Sequence, residues 1–198
     1  ALSRREVYAT TGPRISLRFF GGYDFHQDDL APENLVANGY EKGIPMGGEL
    51  NAKRDAPPSF LFAAMKDPRG ANLDRLQIVK GWVENEEMKE KVFNVAWSDG
   101  RQMDEEGNIM AVGNTVNLEE ATWTDTIGNA ALLGIWSDPE HDPSKAAVYY
   151  ARVLQIPTPR WTLYDKVRFG IKDMDEEIPL VTQERAYSSP IWYKPEKN

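Results

Sequence analysis

Hydrophobic and polar residues alternate along several short stretches of the chain, which is the pattern of strands that bury one face. Residues 14–20 give the first example, because Ile15, Leu17 and Phe19 share one side and the residues between them are polar. Successive side chains of a strand point to opposite faces of a sheet. The stretch therefore predicts a half-buried strand, which ends at two consecutive glycines.

Six further stretches have strand character and are separated by turn-rich segments. They span residues 59–66, 75–83, 91–97, 130–136, 146–155 and 190–193. The polar residues 85–87 join two of them, which predicts a β-hairpin. We expect long loops over residues 24–56 and from residue 157 onward, and helical structure only at residues 2–7.

The clearest strand, at residues 146–155, allows a prediction about the core. One of its faces carries Val148, Tyr150 and Leu154, and we predict that these three side chains point inward. Val148→Asp should then prevent folding, because a buried charge without a partner is strongly destabilising.

About seven short strands in series, with almost no helix, predict a mostly β fold. We expect an immunoglobulin-like β-sandwich with long loops, since two packed sheets bury one face of each strand. This domain is expected to span residues 14–198.

The composition excludes several classes of partner and site. The chain has 198 residues and a formal net charge of −8, so nucleic acids and anionic membrane surfaces are not expected as partners. There is no cysteine and there are two histidines, His26 and His141, which excludes thiolate chemistry and a histidine-rich metal centre. A chain without thiols suits either redox compartment, and a periplasmic or secreted location is our working hypothesis.

The sequence contains no nucleophile motif and no nucleotide-binding motif, so no catalytic residue is assigned. Two acidic loops are candidates for calcium, because carboxylates at alternate loop positions can bind this hard cation. The candidate ligands are Asp24, Asp28, Asp138 and Asp142. A solvated acidic surface is the competing interpretation of both loops.

Residues 157–165 combine features that are typical of interfaces. Two prolines stiffen the segment, and its Arg, Trp and Tyr side chains are residue types enriched in buried contacts. The candidates for residues that face a neighbouring domain or a ligand are Arg14, Arg160, Trp161, Tyr164 and Arg185. The competing interpretation places Trp161 in the core of the sandwich.

Four longer stretches carry a family resemblance. They read Arg-Arg-Glu-Val-Tyr-Ala-Thr-Thr-Gly-Pro-Arg-Ile at 4–15, Ala-Asn-Leu-Asp-Arg-Leu-Gln-Ile-Val-Lys-Gly-Trp at 71–82, Ile-Pro-Thr-Pro-Arg-Trp at 156–161 and Ser-Pro-Ile-Trp-Tyr at 189–193. Together they resemble the C-terminal third of the bacterial domain-of-unknown-function family number 3604.

The resemblance implies that the chain is one part of a longer protein. The N-terminal part of full-length members resembles the PHP class of metal-dependent hydrolases, in which a distorted β/α barrel holds metals through His, Asp and Glu. Residues 1–13 then resemble a helix and strand stub from the end of that barrel. The resemblance implies no cofactor in this chain, a divalent metal in the missing N-terminal domain, and that domain as the partner.

Three functional hypotheses follow. The first is a non-catalytic accessory domain of a metal-dependent hydrolase, with Arg160 and Trp161 facing the barrel close to residues 8–14. The second is a module that presents aromatic side chains to a carbohydrate or acidic loops to calcium. The third makes the chain an enzyme with paired carboxylates, in the manner of glycosidases.

Overall fold

The computed structural model describes residues 1–53 and 56–196, and these residues are mostly β. In chain order the strands are β1 (Tyr8–Thr10), β2 (Ser16–Gly22), β3 (Gly43–Pro45), β4 (Glu49–Asn51), β5 (Ser59–Met65), β6 (Leu73–Glu84), β7 (Glu87–Trp97), β8 (Ala131–Ser137), β9 (Ala147–Gln155), β10 (Thr158–Pro159), β11 (Val181–Thr182), β12 (Arg185–Ser188) and β13 (Ile191–Lys194). The helices are α1 (Leu35–Lys42), α2 (Trp161–Phe169) and two short 3-10 helices at Leu2–Arg4 and Gln27–Leu30. Each predicted strand corresponds to one of these strands, so the mostly β prediction is confirmed. Residues 54 and 55 of the predicted loop and residues 197 and 198 of the predicted domain lie outside the described residues.

Strand β9 lies at the centre of the larger sheet and pairs with strands on both sides. On one side it pairs with β6, which pairs in turn with β7. On the other side it pairs with β12 and β13, whose outer neighbours are β1 and β4. The predicted hairpin is present between β6 and β7, where Asn85 and Glu86 both have the positive φ of a tight two-residue turn.

The smaller sheet, in the order β3-β2-β5-β8, packs its inner face against the larger sheet. Side chains of both sheets form one core, in which Phe60 of β5 is fully buried. Its ring centroid lies 5.4 Å from that of Phe19 in the same sheet and 4.6 Å from that of Tyr149 on β9. Aromatic contacts therefore join the two sheets across the core.

The face of β9 that lies in this core is the opposite of the predicted one. Tyr149 is fully buried, whereas of Val148, Tyr150 and Leu154 only Leu154 is buried. The reason is Arg152, which shares the outer face with Val148 and Tyr150 and donates a hydrogen bond from its Nε to a glutamine of β6 (2.8 Å). A strand face that carries a guanidinium faces outward here, and the side without a charge faces the core.

Residues 24–51 contain helix and short strands, so the prediction of a long loop is wrong for this segment. Helix α1 covers the outer face of the smaller sheet, where Leu35 packs with Phe20 and Leu61. Gly39 permits this close approach, because a Cβ there would lie 2.6 Å from the Phe20 ring. The helix is short and interrupted by glycine, so its apolar period is hard to detect in the sequence.

A second helix corrects the loop predicted after residue 157. Leu163 in the first turn of α2 is fully buried, and Thr162 Oγ1 donates a hydrogen bond to the Pro179 carbonyl (2.6 Å). The helix ends at Gly170, whose φ of 62° is the left-handed conformation that glycine adopts most easily.

Part of the segment predicted as a stub, residues 1–13, contributes a strand to the larger sheet. Strand β1 pairs with β12 in antiparallel orientation, with Tyr8 opposite Ser188. The helical structure of the segment is one short 3-10 helix at Leu2–Arg4, so the helix expected over residues 2–7 is shorter than predicted.

Candidate functional site

Three of the predicted interface residues lie together at the start of α2. Arg160 precedes the helix in an extended conformation, and its N–H donates a hydrogen bond to the Leu180 carbonyl (2.9 Å). Its guanidinium carbon lies 5.6 Å from the centroid of the Trp161 ring. The N–H of Tyr164 donates to the Arg160 carbonyl (3.3 Å), so the three residues share one helical turn.

Several large apolar side chains of α2 are exposed to solvent. Trp161 is 64 % exposed, Tyr164 44 % and Phe169 67 %, and Val167 is exposed as well. We call these four exposed residues, three of them aromatic and one aliphatic, the aromatic face of α2. The exposure of Trp161 excludes the interpretation that places it in the core of this chain.

Arg14 and Arg185 lie near the end of β1. The N–H of Thr11 donates to the Arg185 carbonyl (3.0 Å), and the N–H of Arg185 donates to Thr11 Oγ1 (2.9 Å). The N–H of Arg14 donates to the Asp67 carboxylate (2.7 Å). Within the described residues, no hydrogen bond or ion pair links either arginine to the aromatic face of α2.

The first acidic loop is organised by Asp29, which is buried. Its carboxylate accepts a hydrogen bond from a backbone N–H three residues earlier (2.8 Å) and pairs with Lys42 Nζ (2.7 Å). The hydrogen bond from Lys42 lowers the pKa of Asp29 below its ordinary value. Of the two calcium candidates in this loop, Asp24 pairs with Lys53 Nζ (2.6 Å) and Asp28 is exposed.

In the second acidic loop Asp138 is buried, and both of its carboxylate oxygens accept hydrogen bonds. Oδ2 accepts from Lys80 Nζ (2.6 Å) and from the Tyr149 hydroxyl (2.7 Å), and Oδ1 accepts from the Glu140 N–H (2.9 Å). Burial raises the pKa of Tyr149, and the hydrogen bond to Asp138 raises it further, so this hydroxyl remains a donor. The second candidate of the loop, Asp142, accepts hydrogen bonds from the serine two residues later.

A cleft of about 240 Å³ opens beside Asp138, between β6, β9 and the second acidic loop. Its polar and aromatic lining consists of Lys80, Trp82, Glu84, Glu140, Asp142, Lys145 and Tyr149. We call this site the polar cleft. Its base is the buried Lys80–Asp138 pair, and an ion pair between Lys145 Nζ and Glu84 Oε1 (2.5 Å) lies among its lining residues.

The polar cleft was not predicted, although one signal for it is present in the sequence. Lys80 lies on the inward side of β6 with Ile78 and Trp82, so a charged residue interrupts an apolar strand face. A lysine at such a position requires a buried carboxylate elsewhere in the chain, because an unpaired ammonium is strongly disfavoured in a core. The sequence alone could not say that the partner is Asp138.

His141, which lies in the second acidic loop with Asp138 and Asp142, has a buried ring nitrogen. Among the described residues its Nε2 has no hydrogen-bond partner, and its ring meets the Tyr193 ring edge-on with centroids 4.7 Å apart. Burial lowers the pKa of His141, and the ammonium of Lys80 acts in the same direction.

A second cavity, of about 590 Å³, lies on the outer face of the smaller sheet beside α1. We call it the apolar groove. Its exposed lining residues include Tyr8, Val36, Met65 and Leu133, together with Arg18. The sequence did not predict this groove. The alternation of apolar and polar residues distinguishes the two faces of a strand, but it does not show which part of the outer face of a sheet is left exposed by the helices and loops.

Within the described residues there is no group of three or more His, Asp or Glu side chains placed to bind one metal ion. In the same part of the chain neither α-helix is long and apolar enough to span a membrane. Lysine side chains and backbone N–H groups occupy most of the loop carboxylates that the sequence suggested for calcium.

Comparison with known families agrees with the resemblance of the four sequence stretches. The family model described as protein of unknown function, DUF3604, matches residues 1–195 of the chain. No curated protein and no solved structure matches the chain. Since the family model covers nearly the whole length, the chain belongs to the DUF3604 family.

Proposed function

We propose that this chain is a non-catalytic accessory domain of a longer, metal-dependent hydrolase, and that it docks onto the N-terminal domain of that protein. The proposed contact is the aromatic face of α2. In this proposal the divalent metal belongs to the N-terminal domain, and no residue of this chain has a catalytic role.

The observation that carries the proposal is the exposure of Trp161, Tyr164 and Phe169 on one short helix. Large apolar side chains left exposed together on one element are typical of an interaction site. Each Å² of apolar surface removed from water on docking would contribute about 25 cal/mol. Trp, Tyr and Arg are also the residue types that most often dominate the energy of an interface.

The base of α2 is fixed before any partner binds. Leu163 is buried in the domain, and Thr162 donates a hydrogen bond to the Pro179 carbonyl. These two contacts hold the helix, so it presents its exposed rings in a fixed orientation. Such preorganisation lowers the entropy lost on docking.

Residues 180–184, which follow α2 in the chain, also link this helix to the N-terminal segment. Leu180 accepts a hydrogen bond from the Arg160 N–H, and the Glu184 carboxylate, four residues later, accepts one from the Thr11 hydroxyl. This connection supports a docking side near the start of the chain.

The complete reading frame of the gene is the first test. An upstream segment with several His and Asp residues is expected, and a reading frame without one would contradict the proposed parentage.

Thermal unfolding of Trp161→Ala in two proteins, the 198-residue chain and the longer protein, is the second test. In the isolated chain the change should alter the free energy of unfolding by less than about 0.5 kcal/mol, as is usual for an exposed residue. In the longer protein it should lower the melting temperature or split one transition into two. An equal effect in both proteins would refute docking through this residue.

Met65→Ala is the matched control, because Met65 is an exposed apolar residue of the apolar groove and is remote from α2 in the sequence. It should leave the coupling of the domains unchanged. If it uncouples them while Trp161→Ala does not, docking uses the groove and the proposal for α2 is wrong.

A further inference from the structure

The polar cleft has the properties of a binding site that is separate from the aromatic face of α2. We propose that it binds a small, neutral, polyhydroxylated ligand of the class represented by one pyranose ring. The site does not depend on docking, because its lining residues lie on β6, β9 and the second acidic loop and none belongs to α2.

Lys80 supplies a fixed hydrogen-bond donor at the base of the cleft. It is only 7 % exposed, and its ammonium donates to Asp138 Oδ2 (2.6 Å) and to the Glu140 carbonyl (2.7 Å). An ammonium has three N–H donors. Within the described residues the third has no protein acceptor, and Lys80 lines the cleft. A buried donor requires an acceptor, and a ligand hydroxyl can provide it.

The surroundings of Lys80 hold this donor in place. Asp138 accepts hydrogen bonds from both Lys80 and the Tyr149 hydroxyl. The Lys80 ammonium also lies 5.4 Å from the ring centroid of Trp82 and 5.9 Å from that of Tyr149. A donor fixed by buried partners is preorganised, so little entropy is lost when a ligand binds to it.

The other polar groups of the cleft can act as acceptors. Lys145 Nζ pairs with Glu84 Oε1 (2.5 Å) and lies 3.4 Å from a carboxylate oxygen of Asp142. A carboxylate paired with one ammonium keeps lone pairs that accept hydrogen bonds from hydroxyl groups. Hydrogen bonds to charged acceptors are the stronger ones.

The distribution of charge favours a neutral ligand. Three carboxylates and two ammonium groups line the cleft, and Lys91 pairs with Glu140 beside it. An anion would meet Glu84, Glu140 and Asp142 at close range, while a cation would have to displace ammonium groups that are already paired. A neutral polyol can bind to both kinds of group without displacing either.

The shape of the cleft favours a ring. Trp82, which is half-buried, is a lining residue of the cleft, and its ring centroid lies 5.4 Å from the Lys80 ammonium, so it can provide an apolar wall beside the polar groups. A pyranose has a face of C–H groups and a rim of hydroxyls, which matches such a wall. The volume of about 240 Å³ is below the roughly 300–1,000 Å³ of sites for drug-sized molecules, so it suits a single ring.

Isothermal titration of the chain with the methyl glycosides of glucose, galactose and mannose tests this proposal. Sorbitol, an acyclic polyol, and glucuronate, an anion, serve as comparison ligands, and Ca²⁺ is titrated separately. We expect saturable binding of at least one methyl glycoside at millimolar or lower concentration, and weaker binding of sorbitol and glucuronate. No saturable glycoside binding, or a preference for glucuronate, sorbitol or Ca²⁺, would overturn the proposal.

Two variants test whether the ligand binds in the polar cleft. Trp82→Ala should weaken glycoside binding by about tenfold, equivalent to about 1.4 kcal/mol. Glu84→Gln should weaken it by a smaller factor, and this conservative change at the surface remains informative if the tryptophan variant does not fold. Affinities equal to that of the unsubstituted protein in both variants would show that the sugar binds elsewhere.

Trp161→Ala is the matched control, because it removes an exposed tryptophan outside the cleft. It should leave glycoside affinity unchanged. An equal loss in this variant would indicate unspecific stacking and would refute the cleft as the site. Since the docking test measures domain coupling and this test measures sugar affinity, the two proposals can fail separately.

Discussion

A buried ion pair between Lys80 and Asp138 connects β6 to the second acidic loop, and the Tyr149 hydroxyl donates a further hydrogen bond to Asp138. Removing two charges from water is unfavourable, so a buried pair is retained only when each partner keeps its hydrogen bonds. The pair therefore makes the loop at the polar cleft sensitive to single substitutions.

Tyr149→Phe tests this sensitivity. It removes one of the hydrogen bonds that Asp138 accepts and leaves the ring in the core, so the free energy of unfolding should fall by about 1–3 kcal/mol. Denaturant unfolding is the measurement. Tyr150→Phe is the control, because Tyr150 lies on the outer face of β9 and has no hydrogen bond from its hydroxyl within the described residues. Equal stability of both variants would show that the Tyr149 hydroxyl is not needed.

His141 should make stability depend on pH. Burial lowers its pKa in the folded state, so the unfolded chain binds the proton more readily and the free energy of unfolding decreases as pH falls through the ordinary histidine range. Asp138 and Asp142 oppose this shift, while Lys80 adds to it. Between about pH 7.5 and about pH 5.5, His141→Gln should lose less stability than the unsubstituted protein. The free energy of unfolding is measured in urea at each pH for both proteins. An identical pH dependence in the two proteins would contradict this expectation.

At the scale of a single element, β9 shows how one charge decides which face is buried. Arg152 marks the outer face, and Val153, on the other side, is fully buried in the core. Val153→Asp should therefore prevent folding, because it places a charge without a partner in the core. Val148→Asp on the outer face should still give a folded protein of lower stability. Soluble expression and circular dichroism distinguish them, and folding of the Val153 variant alone would reverse the assignment of the two faces.

Helix α1 provides a second test at this scale. Gly→Ala in a helix usually stabilises by roughly 0.5–1 kcal/mol, but Gly39 contacts the Phe20 ring and has no room for a methyl group. Gly39→Ala should instead lower the free energy of unfolding, by about 1–3 kcal/mol from overpacking. Glu41→Ala, at an exposed position of the same helix, should change it by less than about 0.5 kcal/mol. A more stable Gly39→Ala protein would show that α1 can move away from the sheet.

Seven of the thirteen strands in the described residues could be predicted from the sequence, whereas the other six, of two to four residues each, and both α-helices could not. A strand with one buried face shows its period within a few residues, as β2 does over residues 16–19, where exposed and buried side chains alternate. In α2 the apolar residues lie both on the buried side, at Leu163, and on the exposed side, at Trp161 and Phe169, so no single apolar stripe is visible. The exposure that obscures the helical pattern is the same feature that suggests docking.

The polar cleft could be predicted only in part. Its acidic loop and Trp82 are evident in the sequence, but the cleft exists because β6 and β9 are neighbours in the larger sheet. Residues more than 50 positions apart, such as Lys80 and Asp138, come together only through that pairing. A single sequence therefore identifies the types of residue that line the cleft but does not show how these residues are arranged.

At the scale of the whole molecule, the aromatic face of α2 and the apolar groove both remain uncovered in the described part of the chain. The inner faces of the two sheets already pack against each other, so neither surface is needed to complete the core. Apolar surface that a domain does not use for its own core is available for a partner. The central claim is that the aromatic face of α2 is covered in the longer protein.

Hydroxyl-radical footprinting, read by mass spectrometry, tests this claim most directly. The oxidation rate of Trp161 is measured in the isolated chain and in the longer protein, with Met88 as the internal reference because it is largely exposed on the β6–β7 hairpin. If α2 docks as proposed, Trp161 is oxidised several-fold more slowly in the longer protein, while the rate of Met88 is unchanged. Equal oxidation of Trp161 in both proteins would contradict the claim.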